Sequence, residues 1–459
     1  MHTPHSSHNQ QWLSRSRSAV WHPCTQMKRH ETLPIVPIAR GEGAWLFDFD
    51  GKRHLDGVSS WWVNLFGHAN PRMNAAILDQ MNTLEHVILA GFTQQPVVEL
   101  SERLGQLTGL GHAFYGSDGA SAIEIALKMS FHYWRNLGQS AKTEFVSLEN
   151  SYHGETMGAL GVTDVPIFSE TYAPLVRRGH RVMTPDARGA LPGETAADVA
   201  HRAAASLARL LDQHHGQIAA VIVEPLCQGA AGMAMYDPVY LSEVRALCDR
   251  YQVHLIADEI AMGFGRTGTL FACEQAGIRP DFLCLSKGIT GGYLPLSVVM
   301  TRDEVYSAFY DDDIRKGFLH SHSYTGNALA CRAALEVLNI FEDEAVLDRN
   351  RQLGETVTSA FAELASHPRV SHARHLGMIW AFDVPDAQGS FAQRYFSLAL
   401  EKGLLVRPVG NSVYLMPPYC VTAGEVMDAF AIMRTVLEQE YTLAAGIPAG
   451  SDPSRPAPA

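Results

Sequence analysis

Three short apolar runs in the second half of the chain have the features of buried strands. They cover residues 219–225, 253–260 and 282–285, and each is too short for a globular helix. Between the first two runs, Pro238 is followed by apolar residues at helical spacing, which predicts a helix. A strand, a helix and a second strand in this order build a parallel sheet. The pattern therefore predicts an α/β fold.

The same reading extends to both ends of the chain. Alternating residues around Asp50 and Gly51 predict a β-hairpin. Residues 111–129 read as a strand that passes through small residues into a helix, whose open N–H groups suit an anion, although a plain turn is equally consistent. From about Phe341, helical patterns and strand patterns follow one another, which predicts a small α+β domain. Its predicted strands are residues 377–384, 404–410 and 412–418, and its predicted helices are residues 391–403 and 423–440.

These elements suggest a division of the chain into five segments. The predicted segments are a flexible N-terminal tail (1–18), a segment joining the small domain (19–65), a large domain (66–340), a small domain (341–441) and a disordered tail (442–459). The histidines His2, His5 and His8 fall in the first tail and do not suggest a metal site, and we predict no metal elsewhere.

Two residues with reactive side chains follow the predicted strands. Lys287 comes just after residues 282–285 and before a glycine-rich loop, and Asp258 lies near the carboxyl end of 253–260. Open α/β sheets bind ligands at this edge. A buried lysine with a lowered pKa can form a Schiff base with an aldehyde, although a lone lysine after a strand is more often solvated. A lysine and a carboxylate facing one small molecule favour a pyridoxal phosphate (PLP) enzyme.

Composition narrows the possible partners. The chain has 459 residues and a formal net charge of −12, with no run of Lys and Arg, which argues against a nucleic-acid partner and favours a small-molecule substrate. No apolar stretch reaches membrane-spanning length, and the first residues lack the apolar core of a signal peptide. Seven scattered cysteines, an odd number without a CxxC pair, favour a reducing compartment, so we expect a cytoplasmic protein.

One common motif does not carry its usual meaning here. Residues 263–268 read GFGRTG and satisfy the G-x-G-x-x-G pattern of dinucleotide-binding proteins. They follow the predicted strand by several residues and open no clear amphipathic helix with an acidic residue at the right distance. We therefore do not predict a dinucleotide site.

With these elements placed, the chain resembles the fold-type I PLP enzymes, in the subgroup of aminotransferases that act on amines remote from a carboxylate. The resemblance runs from about Trp21 to Glu440 and rests on the motifs YHGET, VEP, ADEIAMGFGRTG, CLSKGITGG and SYTGNALAC. It implies a large, mainly parallel-sheet domain and a smaller α+β domain formed by the chain ends.

The resemblance also implies a set of cofactor contacts. Lys287 would bind PLP covalently and then act as acid and base, and Asp258 would pair with the ring nitrogen. The other contacts would be the N–H groups of Gly119 and Ala120 on the phosphate, Tyr152 and Ile260 on the two ring faces, and His322 and Ser323 from the other subunit of a homodimer.

Two further stretches, WHPCTQM with SSWW and VRPVGNSVYLMPPY, resemble family members that transfer an amino group from S-adenosylmethionine to 8-amino-7-oxononanoate by a ping-pong mechanism. Arg407 would bind a substrate carboxylate, and Glu155 would lie near the sulfonium of the donor. The implied substrate contacts are Cys24, Trp61, Tyr152, Glu155, Arg266, Ser321 and Arg407. This chain has Cys24 where the family commonly has tyrosine, and SHSYTGN in place of the frequent GPTFMGN.

Three alternatives remain open at this point. The first is an aminotransferase of the same fold that uses an ordinary ω-amino donor with pyruvate or 2-oxoglutarate. The second is a PLP mutase or decarboxylase on the same scaffold. The third is a non-catalytic PLP-binding regulator, which the absence of a helix-turn-helix or basic segment disfavours.

Overall fold

The computed structural model describes residues 7–445 of the chain. The strands are β1 (Ile38–Glu42), β2 (Trp45–Asp48), β3 (Arg53–Asp56), β4 (His112–Gly116), β5 (Glu144–Leu148), β6 (His180–Val182), β7 (Ile218–Val223), β8 (Cys227–Gln228), β9 (Ala234–Met235), β10 (His254–Asp258), β11 (Phe282–Leu285), β12 (Ser297–Thr301), β13 (Ser371–Leu376), β14 (Ile379–Asp383), β15 (Leu404–Leu405) and β16 (Ser412–Leu415). The helices are α1 (His8–Ala19), α2 (Ser59–Trp62), α3 (Pro71–Met81), α4 (Gln95–Thr108), α5 (Gly119–Asn136), α6 (Met157–Val162), α7 (Pro166–Ser169), α8 (Ala196–His214), α9 (Val239–Tyr251), α10 (Asp303–Ser307), α11 (Ala328–Asp343), α12 (Val346–Ala365), α13 (Phe391–Glu401) and α14 (Ala423–Ala445).

A seven-stranded sheet forms the centre of the molecule, in the order β4-β12-β11-β10-β7-β5-β6. Strands β11, β10, β7, β5 and β6 pair in parallel, and α9 is the crossover between β7 and β10. Every residue of β7 and β10 is buried, as continuous apolar runs in a parallel sheet require. The predicted α/β fold with a mainly parallel sheet is confirmed. The exception is β12, which runs antiparallel to both of its neighbours.

The carboxyl ends of the parallel strands converge on one edge of this sheet. Asp258 ends β10, and Lys287 follows β11 after a single residue. Glu224 directly follows β7, so three ionisable side chains emerge from three adjacent strands. This is the edge at which open α/β sheets bind their ligands.

Two smaller sheets involve the chain ends. The predicted hairpin is confirmed as the antiparallel pair β2 and β3, and β15 adds to β3 in parallel, with Leu404 opposite Leu55. The run 404–410, which we predicted as a strand of the small domain, therefore contributes only β15, and β15 belongs to the N-terminal sheet. Strands β13, β14 and β16 form the third sheet. The boundaries of the large and small domains remain a prediction.

The beginning of the chain is more ordered than its polar sequence indicates. Residues 8–18 of the predicted flexible tail lie in α1, whose N-cap Ser7 accepts the N–H of Gln10. Asn9 donates to Asp48 at 2.9 Å, and Trp12 stacks on Phe49 with 5.1 Å between ring centroids. Contacts with the hairpin stabilise this helix, which local polarity alone disfavours, and the flexibility of the tail stays a prediction.

The predicted tails also include residues outside the described part of the chain. Residues 1–6, with His2 and His5, and residues 446–459 lie beyond it, whereas residues 442–445 belong to α14. Within residues 7–445, no helix combines the length and apolarity needed to cross a bilayer.

The short turn α2 has the opposite hand to an ordinary helix. All four of its residues have positive φ, with 50° at Ser59, 46° at Ser60, 75° at Trp61 and 70° at Trp62. Left-handed backbone is unfavourable by about 1–2 kcal/mol for each L-residue with a side chain. Four such residues in succession therefore need tertiary contacts to hold them.

Candidate active site

Lys287 stands in a tight turn at the sheet edge. It has a φ of 48° and begins a short 3-10 turn that ends at Gly291 and Gly292, both with positive φ. Its Nζ lies 5.0 Å from the ring centroid of Trp62 and lines a cavity of about 480 Å³, here named the inner cavity. Burial lowers the pKa of Lys287, partly opposed by Asp258 and Glu224. A larger fraction of this amine is therefore unprotonated at neutral pH than of a solvated lysine.

Asp258 and Glu224 line the same cavity in different hydrogen-bonded settings. Asp258 Oδ2 lies 2.7 Å from Nδ1 of the buried His153, and Oδ1 accepts the N–H of Ile260 at 3.1 Å. Glu224 accepts the N–H groups of Tyr152 and Gly229, both at 3.0 Å. Burial raises the pKa of Glu224 to about 7, and the nearby Asp258 adds to this effect. The two carboxyl groups thus differ in partners, although both face Lys287.

The start of α5 forms the opposite end of the inner cavity. The N-cap Asp118 accepts the N–H of Ser121 at 2.9 Å. Among the described residues, no hydrogen bond occupies the N–H of Gly119 or Ala120, and both residues line the cavity. A Cβ on Gly119 would lie 2.9 Å from Ile260, so glycine is needed for this close packing. An 18-residue helix with open first-turn N–H groups is suited to a phosphate.

The inner cavity therefore fits the PLP that the resemblance implies. It presents an amine for an aldehyde, a carboxylate for a ring nitrogen and a helix start for a phosphate, around one space. Tyr152 and Ile260 line it as well, and their places on either side of a ring stay a prediction. Across residues 7–445, no group of three or more His, Cys, Asp or Glu is arranged to hold a metal ion.

A larger space of about 1020 Å³, here named the outer cavity, adjoins the inner one, and Glu155 lines both. The Arg407 guanidinium lies 4.6 Å from the ring centroid of Trp61, and its Nη2 is 3.5 Å from the carbonyl oxygen of Cys24. The hydroxyl of Tyr152 donates to Glu155 at 2.9 Å. The space thus combines a cation, a carboxylate and apolar walls.

Some predicted site residues lie elsewhere in this chain. Arg266 is fully buried outside the lining of both cavities, and its guanidinium donates to the carbonyls of Pro417 at 2.8 Å and Asn64 at 2.9 Å. Ser321, His322 and Ser323 also lie outside both linings. The Nδ1 of His322 is 3.4 Å from Ser117 Oγ of the same chain. Contacts of His322 and Ser323 with the phosphate of a second subunit remain a prediction, as does the substrate contact of Ser321.

Four residues that the sequence did not single out complete the site. These residues are Trp62, His153, Glu224 and Tyr414. The hydroxyl of Tyr414 accepts the indole N–H of Trp62 at 3.1 Å, and burial raises the pKa of Tyr414 to about 12. All four lie in the motifs YHGET, VEP, SSWW and VRPVGNSVYLMPPY, so membership of these motifs was the available signal.

Comparisons with known proteins cover almost the whole chain. The sequence model of the family described as aminotransferase class-III matches residues 26–437. The adenosylmethionine-8-amino-7-oxononanoate aminotransferase of Helicobacter pylori is 46% identical over 428 residues, which cover 92% of this chain and 96% of that protein.

Two solved structures extend the comparison. The crystal structure of adenosylmethionine-8-amino-7-oxononanoate aminotransferase from Methanocaldococcus jannaschii has a TM-score of 0.88 and 33% identity, covering 94% of this chain and 99% of that one. The omega transaminase from Pseudomonas jessenii in complex with PMP has a TM-score of 0.88 and 28% identity, covering 95% of this chain and 99% of that one.

Proposed function

This chain belongs to the class-III aminotransferase family, and we propose that it transfers the amino group of S-adenosylmethionine to 8-amino-7-oxononanoate. The product would be 7,8-diaminononanoate, an intermediate of biotin biosynthesis. The observation that carries the proposal is the convergence of Lys287, Asp258 and the start of α5 on one cavity, next to the outer cavity that Arg407 lines. The similarity to named relatives supports the choice of substrates.

The enzymes of this family use PLP, and we propose that the inner cavity holds it. Bound there, PLP supplies an electron sink for the substrate carbon that exchanges its amino group. Asp258 would hold the ring nitrogen, and Gly119 and Ala120 would bind the phosphate through their N–H groups. Lys287 Nζ, with its pKa lowered by burial, would accept and return the proton of the substrate carbon. Tyr152 and Ile260 would hold the ring between them.

The outer cavity would receive the two substrates in turn. Arg407 offers a guanidinium to a carboxylate, which both substrates carry. Glu155 places a negative charge where the sulfonium of the donor would lie, and Trp61 and Cys24 form part of the wall. A contact of Arg266 or Ser321 with substrate stays part of the proposal, although neither residue lines the cavities of the single chain.

We extend the proposal to a homodimer, in which His322 and Ser323 of one subunit reach the phosphate of the other. A cytoplasmic location is also proposed. All seven cysteines are free, and five of them are buried, which supports a reducing compartment.

The test is an absorbance spectrum of the purified protein before and after addition of S-adenosylmethionine without acceptor. We expect the visible band of the cofactor held by Lys287 to give way to the near-ultraviolet band of its aminated form. Lys287→Ala is the control, and normal turnover by this variant would contradict the mechanism. If a simple ω-amine changes the band and S-adenosylmethionine does not, the protein is an ω-transaminase and the biotin assignment fails.

A further inference from the structure

The left-handed turn α2 lies between the two cavities and carries one tryptophan to each. Trp62 lines the inner cavity, 5.0 Å from Lys287 Nζ, and donates its indole N–H to Tyr414. Trp61 lines the outer cavity beneath the Arg407 guanidinium. The positions of both indoles therefore depend on a backbone conformation that L-residues disfavour.

A buried carboxylate holds Ser60 within this turn. Asp56 has no exposed surface, and its Oδ1 accepts the N–H of Ser60 at 2.9 Å. Its Oδ2 accepts the hydroxyl of Ser60 at 2.6 Å and lies 3.0 Å from Nε2 of His68. In an asparagine at this position, one of the two accepting oxygens would be replaced by an NH2 group, which donates. This NH2 group would face a group that also donates, so the site specifically requires a carboxylate.

The turn is also fixed at its two ends. The hydroxyl of Ser59 donates to the carbonyl of Met416 at 2.8 Å, just after β16. A Cβ on Gly292 would lie 3.0 Å from the backbone of Asn64, so the loop that follows Lys287 packs directly against the segment that follows α2. The reversed turn thus joins the lysine loop to the strand that carries Tyr414.

We propose that Asp56 is a positioning residue for the reaction, which holds Ser60 in the left-handed conformation and thereby fixes Trp61 and Trp62 in the two cavities. This inference rests on the proposed aminotransferase function but not on the identity of the amino donor. Asp56 lines neither cavity, so it acts through the backbone of Ser60.

Replacements at Ser60 separate the backbone effect from the lost hydrogen bond. Ser60→Ala and Ser60→Gly both remove the hydroxyl, but glycine adopts a φ near 46° readily and alanine does not. With the donor that best changes the cofactor band, we expect the rate of the half reaction to fall about tenfold or more in Asp56→Asn and in Ser60→Ala. We expect Ser60→Gly to retain several-fold more activity than Ser60→Ala, and Ser60→Gly added to Asp56→Asn to restore part of the lost rate.

Amide hydrogen exchange of residues 58–64, measured on the cofactor-loaded enzyme without substrate, provides a readout apart from activity. We expect faster exchange in Asp56→Asn, confined to this segment, and slower exchange again in the double variant. Equal losses in Ser60→Ala and Ser60→Gly, no rescue in the double variant, or unchanged exchange in Asp56→Asn would each overturn the inference. If no donor changes the cofactor band, the proposed function fails, whereas the exchange data still decide the role of Asp56.

Discussion

Arg407 lines the outer cavity and Lys287 lines the inner cavity. The two substrates differ in how far their carboxylate lies from the reacting carbon, so this separation does not suit them equally. Trp62 and Tyr414 connect the two residues, since Trp62 lies beside Lys287 and donates to Tyr414, which lines the outer cavity with Arg407. In S-adenosylmethionine the carboxylate is on the reacting carbon itself. In 8-amino-7-oxononanoate it lies at the opposite end of the chain from the reacting carbonyl. We therefore expect Arg407 to contribute more to the acceptor half reaction than to the donor half reaction.

We expect Arg407→Met to lower kcat/KM of the acceptor half reaction by about 100-fold, the size expected for losing hydrogen bonds to a charged group. The donor half reaction should change less. Single-turnover kinetics of each half reaction provide the measurement. Arg407→Lys keeps the charge but cannot form two parallel hydrogen bonds to a carboxylate, so its kcat/KM should lie between the values of the wild type and Arg407→Met. Equal losses in both half reactions would show that Arg407 serves both carboxylates alike.

Glu259 is a buried carboxyl group next to Asp258 in the chain. Its raised pKa predicts that the stability of the protein depends on pH. Its two oxygens accept the N–H groups of Ala272 at 2.7 Å and Cys273 at 2.8 Å. Burial raises the pKa of Glu259 from 4.5 to about 7. A carboxyl group whose pKa is higher in the folded state stabilises the fold fully below about pH 4.5, and this contribution disappears as the pH rises through about 7.

The stability advantage of the wild type over Glu259→Gln should therefore be larger at about pH 5 than at about pH 8. Thermal unfolding of both proteins at the two pH values checks this. Glu224 is present in both proteins and has its pKa shifted in the same direction, so its effect cancels in the difference. A difference that stays constant or grows with pH would rule out a raised pKa for Glu259.

At the residue scale, Lys287 and Asp258 could be predicted because each lies at the end of a recognisable apolar run. Glu224 lies at the end of β7 in the same way and was missed, as were residues that a distant element brings in. The contact of His153 with Asp258 joins residues 105 positions apart, and that of Trp62 with Tyr414 joins residues 352 positions apart. No local pattern encodes such contacts.

At the scale of elements, Lys142 connects the ends of two helices. Its Nζ donates to the carbonyls of His215 after α8, Ile218 at the start of β7 and Gln252 after α9, at 2.8, 3.1 and 2.9 Å. It also lies 4.6 Å from the ring centroid of Trp134. One buried ammonium thus satisfies carbonyl groups that the helix ends leave without partners.

We expect Lys142→Met to lower the free energy of unfolding by about 3 kcal/mol, because it leaves buried carbonyl groups unpaired. Urea unfolding followed by circular dichroism measures the change, and the rate of the half reaction should be unaffected under native conditions. The exposed Lys402, replaced in the same way, is the control. A loss no greater than that of Lys402→Met would mean that water replaces the ammonium at these carbonyls.

Some elements were harder to predict from the sequence, and the physical reason is that their pairing depends on other parts of the chain. Strand β12 is buried throughout, as the parallel strands β7, β10 and β11 are, and periodicity does not reveal strand direction. Strand β15 pairs with β3, and α1 packs on the hairpin, so both depend on partners far away in the chain. The continuous runs of β7, β10 and β11 needed no such partner to be recognised.

At the scale of the whole molecule, Asp383 joins the C-terminal sheet to the part of the chain around the central sheet. It accepts the Ser412 hydroxyl at 2.7 Å and pairs with Arg374 at 2.9 Å and with Arg188 at 3.2 Å. Burial alone would raise the pKa of Asp383, but the hydrogen bond from Ser412 and the two guanidinium groups lower it below its ordinary value. Arg188 lies between β6 and α8, so the contact spans the two regions.

We expect Asp383→Ala to destabilise the protein by about 3 kcal/mol, because two partly buried guanidinium groups lose their shared partner. Hydrogen exchange should increase in β13, β14 and β16 before it increases in β7 and β10. Mass-spectrometric exchange combined with thermal unfolding checks both statements. Uniform exchange across all these strands would indicate that Asp383 does not act as a local connection between the regions.

The position of β12 has a consequence for synthesis of the protein. Strand β4 pairs only with β12 in the central sheet, and almost two hundred residues separate them in the chain. A ribosome that adds 5–20 residues per second delivers β12 roughly 10–40 s after β4. Until then β4 is an unpaired strand, which favours association between nascent chains. The yield of folded protein therefore depends on protection during this interval, and slower translation makes the interval longer.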